Sequence, residues 1–174
     1  SLVKEGLKIE EECHTYGHSI EVQLPFLQFS NRDNISNIRV VEISIGHDID
    51  FMETAKRIYN ATKDKDVTFI ISSDFTHYGR NFHYAPFSID IPEKITELDK
   101  GAIDLILKQD TEGFKEYINK TGITICGFMP ILIFLAMLNL MEHKPKAELL
   151  MHYMSGDLTK DYKNTVSYVS MAFR

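Results

Sequence analysis

The residues best suited to chemistry lie in one stretch near the middle of the chain, Ile70-Ile71-Ser72-Ser73-Asp74-Phe75-Thr76-His77-Tyr78-Gly79. A run of β-forming residues ends there at two serines, and the candidate catalytic residues Asp74 and His77 follow. Pockets of open α/β sheets lie just past the carboxyl ends of the strands. A carboxylate and an imidazole at that place can bind a metal ion or transfer a proton. On this stretch alone, Asp74 also fits a turn or helix cap, and His77 fits a surface or core histidine.

Two further side chains, His18 and Cys126, are candidate metal ligands. His18 precedes an expected helix, where an imidazole binds metal or transfers protons; a hydrogen-bonded structural histidine is the alternative. Cys126 precedes Gly127 at the start of an apolar helix, and a helix N-terminus favours the thiolate form that binds metal. A small buried apolar residue is the alternative for Cys126. Cys13 and His14 have no partner pair at zinc-ribbon spacing. The other histidines are expected to be structural or exposed: His47, His83, His143 and His152.

Alternating strand and helix patterns surround these candidates. Strands are predicted over the β-forming residues 39–45, 67–71, 147–154 and 165–173. Helices are predicted over residues 20–29, with Ser19 near the N-cap, and over residues 128–141. Three more helices are predicted from their start signals, which are Asp50 with Glu53, Pro92, and Asp110. This alternation predicts a layered α/β domain with no internal linker.

Length, charge and composition limit the classes of protein to which the chain can belong. The 174 residues fit a single domain, 1–174, that is large enough for a sizeable core. A net charge of −6 without a basic stripe argues against nucleic-acid binding. The longest apolar run, residues 128–141, is too short to span a bilayer, so no membrane partner is expected. Two cysteines make no disulfide framework, which favours a cytoplasmic location.

Four segments resemble, in the same order, the motifs of the Memo family, also called AmmeMemoRadiSam system protein B. His18-Ser19-Ile20-Glu21-Val22-Gln23-Leu24-Pro25-Phe26-Leu27-Gln28 is similar to the HSIE-x-x-LPFLQ signature of that family. Ser72-Ser73-Asp74-Phe75-Thr76-His77-Tyr78-Gly79 resembles its SSD-x-x-HYG motif. Cys126-Gly127 with Pro130 resembles its CG-x-x-P segment, and Ser155-Gly156-Asp157 resembles its SGD tail.

The resemblance implies a three-layer α/β/α sandwich similar to the LigB-type extradiol dioxygenases. It also implies a metal pocket in which His18 and Cys126 are ligands, with Asp74 and His77 as further ligands or neighbours. Such donors suit Fe(II), Cu or Zn. The implied function is a metal-binding, dioxygenase-like pocket, and a metal-dependent oxidoreductase is one interpretation. The alternative is a non-catalytic binding or adaptor module, for a phosphopeptide or a protein partner, on the same scaffold.

The sequence departs from the family pattern in three places. No segment matches the N-terminal HAGY motif, which carries a further histidine ligand in the family. Gly17 precedes His18 where the family commonly has Glu, and Phe128 follows Gly127 in a segment where an Arg is common. We therefore expect a sandwich without its N-terminal strands, with metal bound loosely or absent as purified. The uncovered sheet is expected to drive self-association, or association with a partner that supplies the missing segment.

Overall fold

The computed structural model describes residues 1–9, 12, 17–46 and 48–174. The predictions for Cys13, His14 and His47 lie outside these residues. The helices are α1 Leu24–Ser30, α2 Phe51–Thr62, α3 Ile91–Leu107, α4 Thr111–Thr121, α5 Phe128–Leu138 and α6 Ser155–Thr159. The strands are β1 His77–Gly79, β2 Ala147–Met154 and β3 Asn164–Phe173. Helix and strand are mixed along the chain, which confirms the predicted α/β fold class.

The helix starts follow the local signals in the sequence. Asp50 caps α2 by accepting a hydrogen bond from the Glu53 backbone N–H at 3.0 Å. Asp110 caps α4 in the same way, through the Gly113 N–H at 2.9 Å. The Glu53 side chain pairs with Arg57, one turn along α2, instead of completing a capping box. Pro92 lies in the first turn of α3. Backbone N–H groups of the first turn have no acceptor within the helix, so proline, which lacks an N–H, loses no hydrogen bond there.

The three strands form an antiparallel sheet in the order β1-β3-β2. His77 faces Val166 across the first pair, and Met154 faces Ser167 across the second. The pairing of β1 continues backward, because the Phe75 N–H donates to the Ser167 carbonyl at 2.9 Å. Asp74 and His77 therefore lie beside an antiparallel neighbour, and not just past the end of a strand as predicted.

The core lies between the helices and the sheet. Helix α5 packs against both α2 and α4, and α3 packs against α4 and β2. Nearly all of α5 is apolar and buried, as expected for a helix with neighbours on several sides. The main cluster includes Phe75, next to the candidate site, and Ile123 and Ile125 before α5. These contacts hold the segments before β1 and before α5 against each other. Among the described residues, no helix has the length and apolar character needed to cross a membrane.

Two strand predictions are wrong. Residues 39–45 and 67–71 carry no regular secondary structure, although both contain strongly β-forming residues. A strand is stable only when a neighbour satisfies its backbone hydrogen bonds, and in the described part of the chain neither segment belongs to the sheet. Some of their apolar side chains are exposed, Val41 to 68% and Ile70 to 53%, whereas Ile43, Ile45 and Ile71 pack against the core.

Three smaller differences concern loops and caps. Ser19 does not cap the first helix; a 3₁₀ turn, Glu21–Gln23, leads into α1. The connection between β2 and β3 contains the short helix α6. Strand β1 was not predicted, because only three residues take part and the pairing is with a distant segment. Sequence pattern is weakest for such short elements.

Candidate metal centre

Asp74, His77 and Cys126 come together between β1 and the start of α5. Their ligand atoms, one from each side chain, all lie within 4.8 Å of one another. His77 Nε2 is 3.8 Å from Asp74 Oδ2. The carboxylate and imidazole are half-buried and the thiol is exposed. The structure thus assembles three of the four predicted site residues from two motifs that lie far apart in sequence.

Backbone contacts hold the His77 ring in one orientation. Its Nδ1 lies 3.0 Å from the carbonyl oxygen of Phe75 and 2.9 Å from that of Thr124. Carbonyl oxygens only accept hydrogen bonds, so Nδ1 carries the proton and the neutral ring has its lone pair on Nε2. The Thr124 hydroxyl also accepts from the His77 N–H at 2.8 Å and donates to its carbonyl at 2.9 Å. His77 therefore presents Nε2 to Asp74 and Cys126.

The Cys126 sulfur lies against the backbone of the other motif. It accepts a hydrogen bond from the Asp74 N–H at 3.2 Å. Next to it, the Gly127 N–H donates to the Ser73 hydroxyl at 2.9 Å. A Cβ at position 127 would lie 2.5 Å from the Ser73 Cβ and 2.9 Å from the Ser72 carbonyl oxygen. Gly127 is thus needed for the close approach of the two segments.

A pair of tyrosines lies close to the carboxylate. The rings of Tyr153 on β2 and Tyr168 on β3 have centroids 5.1 Å apart. Burial raises the pKa of Tyr168, and the negative charge of Asp74 and the neighbouring Tyr153 raise it further. The Tyr168 hydroxyl therefore remains protonated at neutral pH and can donate a hydrogen bond.

His18 is not part of the three-residue group. Its side chain is 82% exposed, and its Nδ1 lies 3.1 Å from Glu21 Oε2. The segment that carries it is nevertheless attached near the site, because the Ser72 hydroxyl donates to the Ser19 carbonyl at 2.6 Å. Gln23 Nε2 donates to the same hydroxyl at 3.1 Å. The backbone next to His18 is thus hydrogen-bonded to Ser72, which lies two residues before Asp74 in the sequence.

Sequence reasoning missed the residues that support the site. Thr124 lies in an apolar stretch typical of a strand, and its contacts reach His77, 47 residues away. Asp99 is completely buried in α3, where it bonds Thr76 and His152. One signal for Asp99 was present: it lies in the helical stripe with Ile95, Ala102 and Ile106. A charged residue on such an apolar face indicates a buried polar partner.

The site brings together two of the motifs that resemble those of one family, and the comparison with known proteins supports the same family. The Memo-like protein family model matches residues 2–172, and the chain belongs to that family. A MEMO1 family protein of Thermococcus onnurineus (strain NA1) is 34% identical over 176 residues. One of Sulfurisphaera tokodaii is also 34% identical over 176 residues. The names of these relatives state membership of the family and no activity.

The shared region covers most of this chain but only part of each relative. The match takes in 95% of this chain and 59% of the Thermococcus onnurineus protein. For the Sulfurisphaera tokodaii protein the shares are 99% and 57%. The chain therefore spans less than two thirds of the length of the curated relatives that it matches.

Proposed function

We propose that Asp74, His77 and Cys126 form a binding site for a transition metal ion. The observation that carries this proposal is the orientation of His77. Histidines that ligate metals usually donate their other ring N–H to a carbonyl or carboxylate, which fixes the tautomer. His77 Nδ1 meets this condition twice over, with the carbonyls of Phe75 and Thr124, and Nε2 faces the other two candidate ligands.

The donor set favours Fe(II), Cu or Zn. Imidazole suits all three metals, and thiolate selects copper and zinc in particular. Three protein ligands leave at least one coordination position for a further ligand, which is either a fourth side chain or a small molecule. A metal bound in this way supplies a Lewis acid or a redox centre. Asp74, half-buried and 3.8 Å from His77 Nε2, has two carboxylate oxygens, so one can bind the ion while the other accepts a proton beside it.

We propose His18 as a fourth ligand. The hydrogen bonds between Ser72 and the Ser19–Gln23 segment hold its backbone beside the site. Its contact with Glu21 is an exposed ion pair, which contributes about 0.2–1 kcal/mol. This contact therefore opposes only weakly a rotation of the His18 side chain toward a metal ion. His18→Ala is expected to weaken metal binding, though by less than His77→Ala.

Zinc titration of the purified chain tests the proposal. One equivalent of Zn(II) should bind, and Cys126→Ser and His77→Ala should each weaken the affinity by about 10-fold or more. His143→Ala serves as the control, because His143 is exposed and lies outside the three-residue group. Equal affinity in Cys126→Ser, His77→Ala and the wild type would refute the site.

We also propose that the chain self-associates through the extended segments 39–45 and 67–71. Extended segments that expose apolar side chains outside the sheet tend to associate with another strand, and Val41 and Ile70 are both more than half exposed. A partner chain that supplies the pairing strand is the alternative outcome. A cytoplasmic location fits the metal site, because Cys126 must remain reduced to act as a ligand.

A further inference from the structure

A buried polar network lies behind the segment that carries Asp74 and His77. Asp99 of α3 is completely buried, and its two carboxylate oxygens have partners on two different elements. The hydroxyl of Thr76, also completely buried, donates to Oδ1 at 2.6 Å. His152 Nε2 of β2 lies 2.8 Å from Oδ2, and its side chain is largely buried. Asp99, Thr76 and His152 are not members of the three-residue metal group.

The burial of Asp99 gives this network its importance. A carboxylate removed from water is strongly destabilising unless its oxygens are hydrogen-bonded. Here each oxygen has a donor, so the arrangement of α3, β2 and Thr76 that provides both donors is favoured over others. Loss of either donor would leave a buried acceptor without that partner, which is the more costly kind of hydrogen-bond deletion.

Thr76 connects the network to the candidate ligands. It lies between Asp74 and His77, and its backbone is bonded to Ser167 of β3. The Thr76 N–H donates to the Ser167 hydroxyl at 2.8 Å, and the Ser167 N–H donates to the Thr76 carbonyl at 2.9 Å. The side chain is held by α3 while the backbone is held by β3. A rotation of this one residue would displace the ligand side chains on both sides of it.

We infer that Asp99 and Thr76 are positioning residues for the metal centre, an inference that rests on the proposed function. Asp99 holds the Thr76 hydroxyl, and Thr76 in turn fixes the backbone between Asp74 and His77. His152 completes the network by bonding the second oxygen of Asp99. Neither Asp99 nor Thr76 bonds the metal ion; both act on its geometry through the ligands.

The experiment compares Thr76→Val and Asp99→Asn with a matched control, Thr111→Val. Thr111 is also buried, and its hydroxyl accepts from Asn139 Nδ2 at 2.8 Å on the far side of α4. Three quantities are measured for each protein. They are the Zn(II) dissociation constant by competition with a chromophoric chelator, the absorption spectrum with Co(II), and the thermal unfolding temperature without metal. Thr76→Ser, which keeps the hydroxyl, tests rescue.

Thr76→Val and Asp99→Asn should bind Zn(II) about 10-fold or more weakly, the effect typical of groups that orient ligands. Their Co(II) spectra should change, because the ligand geometry changes. Thr76→Ser should restore both properties. Thr111→Val should lower the unfolding temperature while the affinity and the Co(II) spectrum stay those of the wild type.

Wild-type affinity and spectrum in folded Thr76→Val and Asp99→Asn would overturn the inference, as would failure of Thr76→Ser to restore them. If neither Thr76→Val nor Asp99→Asn folds, the network serves the fold alone and the inference is also wrong. A wild-type chain that binds no Zn(II), or binds it equally after Cys126→Ser, would refute the proposed function and the inference together.

Discussion

At the scale of single residues, the backbone forms hydrogen bonds with some atoms of the candidate ligands and leaves other atoms of the same side chains to bind a metal ion. The Phe75 and Thr124 carbonyls engage His77 Nδ1, and the Asp74 N–H engages the Cys126 sulfur. The ligand atoms of the imidazole, the thiol and the Asp74 carboxylate lie within 4.8 Å of one another, and Nε2 is 3.8 Å from the carboxylate. Such preorganisation reduces the ordering cost of binding an ion.

The tautomer of His77 is a direct prediction of this geometry. In the neutral side chain, at mildly alkaline pH and without metal, the proton should be on Nδ1, because both contacts of that atom are acceptors. Nitrogen-15 NMR of the imidazole distinguishes the two tautomers. A protonated Nε2 would show that the ring is oriented differently and that its lone pair does not face Cys126.

The close approach at Gly127 gives a second prediction. Gly127→Ala places a methyl group 2.5 Å from the Ser73 Cβ, so the two motifs must separate. We expect a loss of about 1–3 kcal/mol in the free energy of unfolding, measured with urea, and weaker Zn(II) binding. Gly46→Ala is the control, since a Cβ there has nothing within 4 Å. Equal losses in both variants would contradict the close-approach argument.

At the scale of secondary structure, the SGD tail is a structural junction between β2 and β3. The Ser155 hydroxyl accepts from the Val166 N–H at 3.1 Å, and the Gly156 N–H donates to the Thr165 hydroxyl at 2.9 Å. Asp157 accepts from the Met154 N–H and from the Tyr162 hydroxyl, both at 2.8 Å. The motif therefore fixes how β2 turns through α6 into β3, the strand that pairs with β1.

Asp157 makes the stability of this junction depend on pH. The Met154 N–H and then the Tyr162 hydroxyl hold the pKa of Asp157 below its ordinary value of 3.8. A lowered pKa in the folded state stabilises the fold above the unfolded-state value, and this contribution is lost as the pH falls through the folded-state value. Asp157→Ala should cost about 1 kcal/mol of unfolding free energy at neutral pH.

The cost of Asp157→Ala should shrink as the pH falls from the unfolded-state pKa, about 3.8, through the lower pKa of the folded state, because the carboxylate then becomes protonated in both states. Urea unfolding of both proteins across this range measures the change. Asp48→Ala, at an exposed carboxylate, is the control. A difference between wild type and Asp157→Ala that stays constant into strong acid would contradict the assigned role of the charge.

Much of the secondary structure could be predicted from the sequence. The caps at Asp50 and Asp110 and the start at Pro92 depend on neighbouring residues only, and all three were predicted correctly. The strands at 39–45 and 67–71 were predicted wrongly, because pairing depends on a partner that composition does not reveal.

The grouping of Asp74, His77 and Cys126 came from motif resemblance. Thr124 and Asp99 escaped notice because their roles depend on contacts with residues distant in sequence.

At the scale of the whole molecule, the exposed extended segments set the expected oligomeric state. Val41→Lys introduces a charge into an apolar edge, which opposes strand pairing. Light scattering should show an assembly for the wild type and a smaller particle for Val41→Lys. Val3→Lys, at a 54% exposed valine in the 3₁₀ turn Leu2–Glu5, should behave as the wild type. A wild type that remains monomeric at every concentration would contradict the self-association proposal.

The absorption spectrum with Co(II) is the most direct test of whether this Memo-family chain binds a metal ion through Asp74, His77 and Cys126. Cobalt replaces zinc in such sites, and a sulfur ligand adds a charge-transfer band in the near ultraviolet. The account predicts that this band saturates at one equivalent of Co(II) and disappears in Cys126→Ser. Absence of the band in the wild type, or an identical band in Cys126→Ser, would contradict the account.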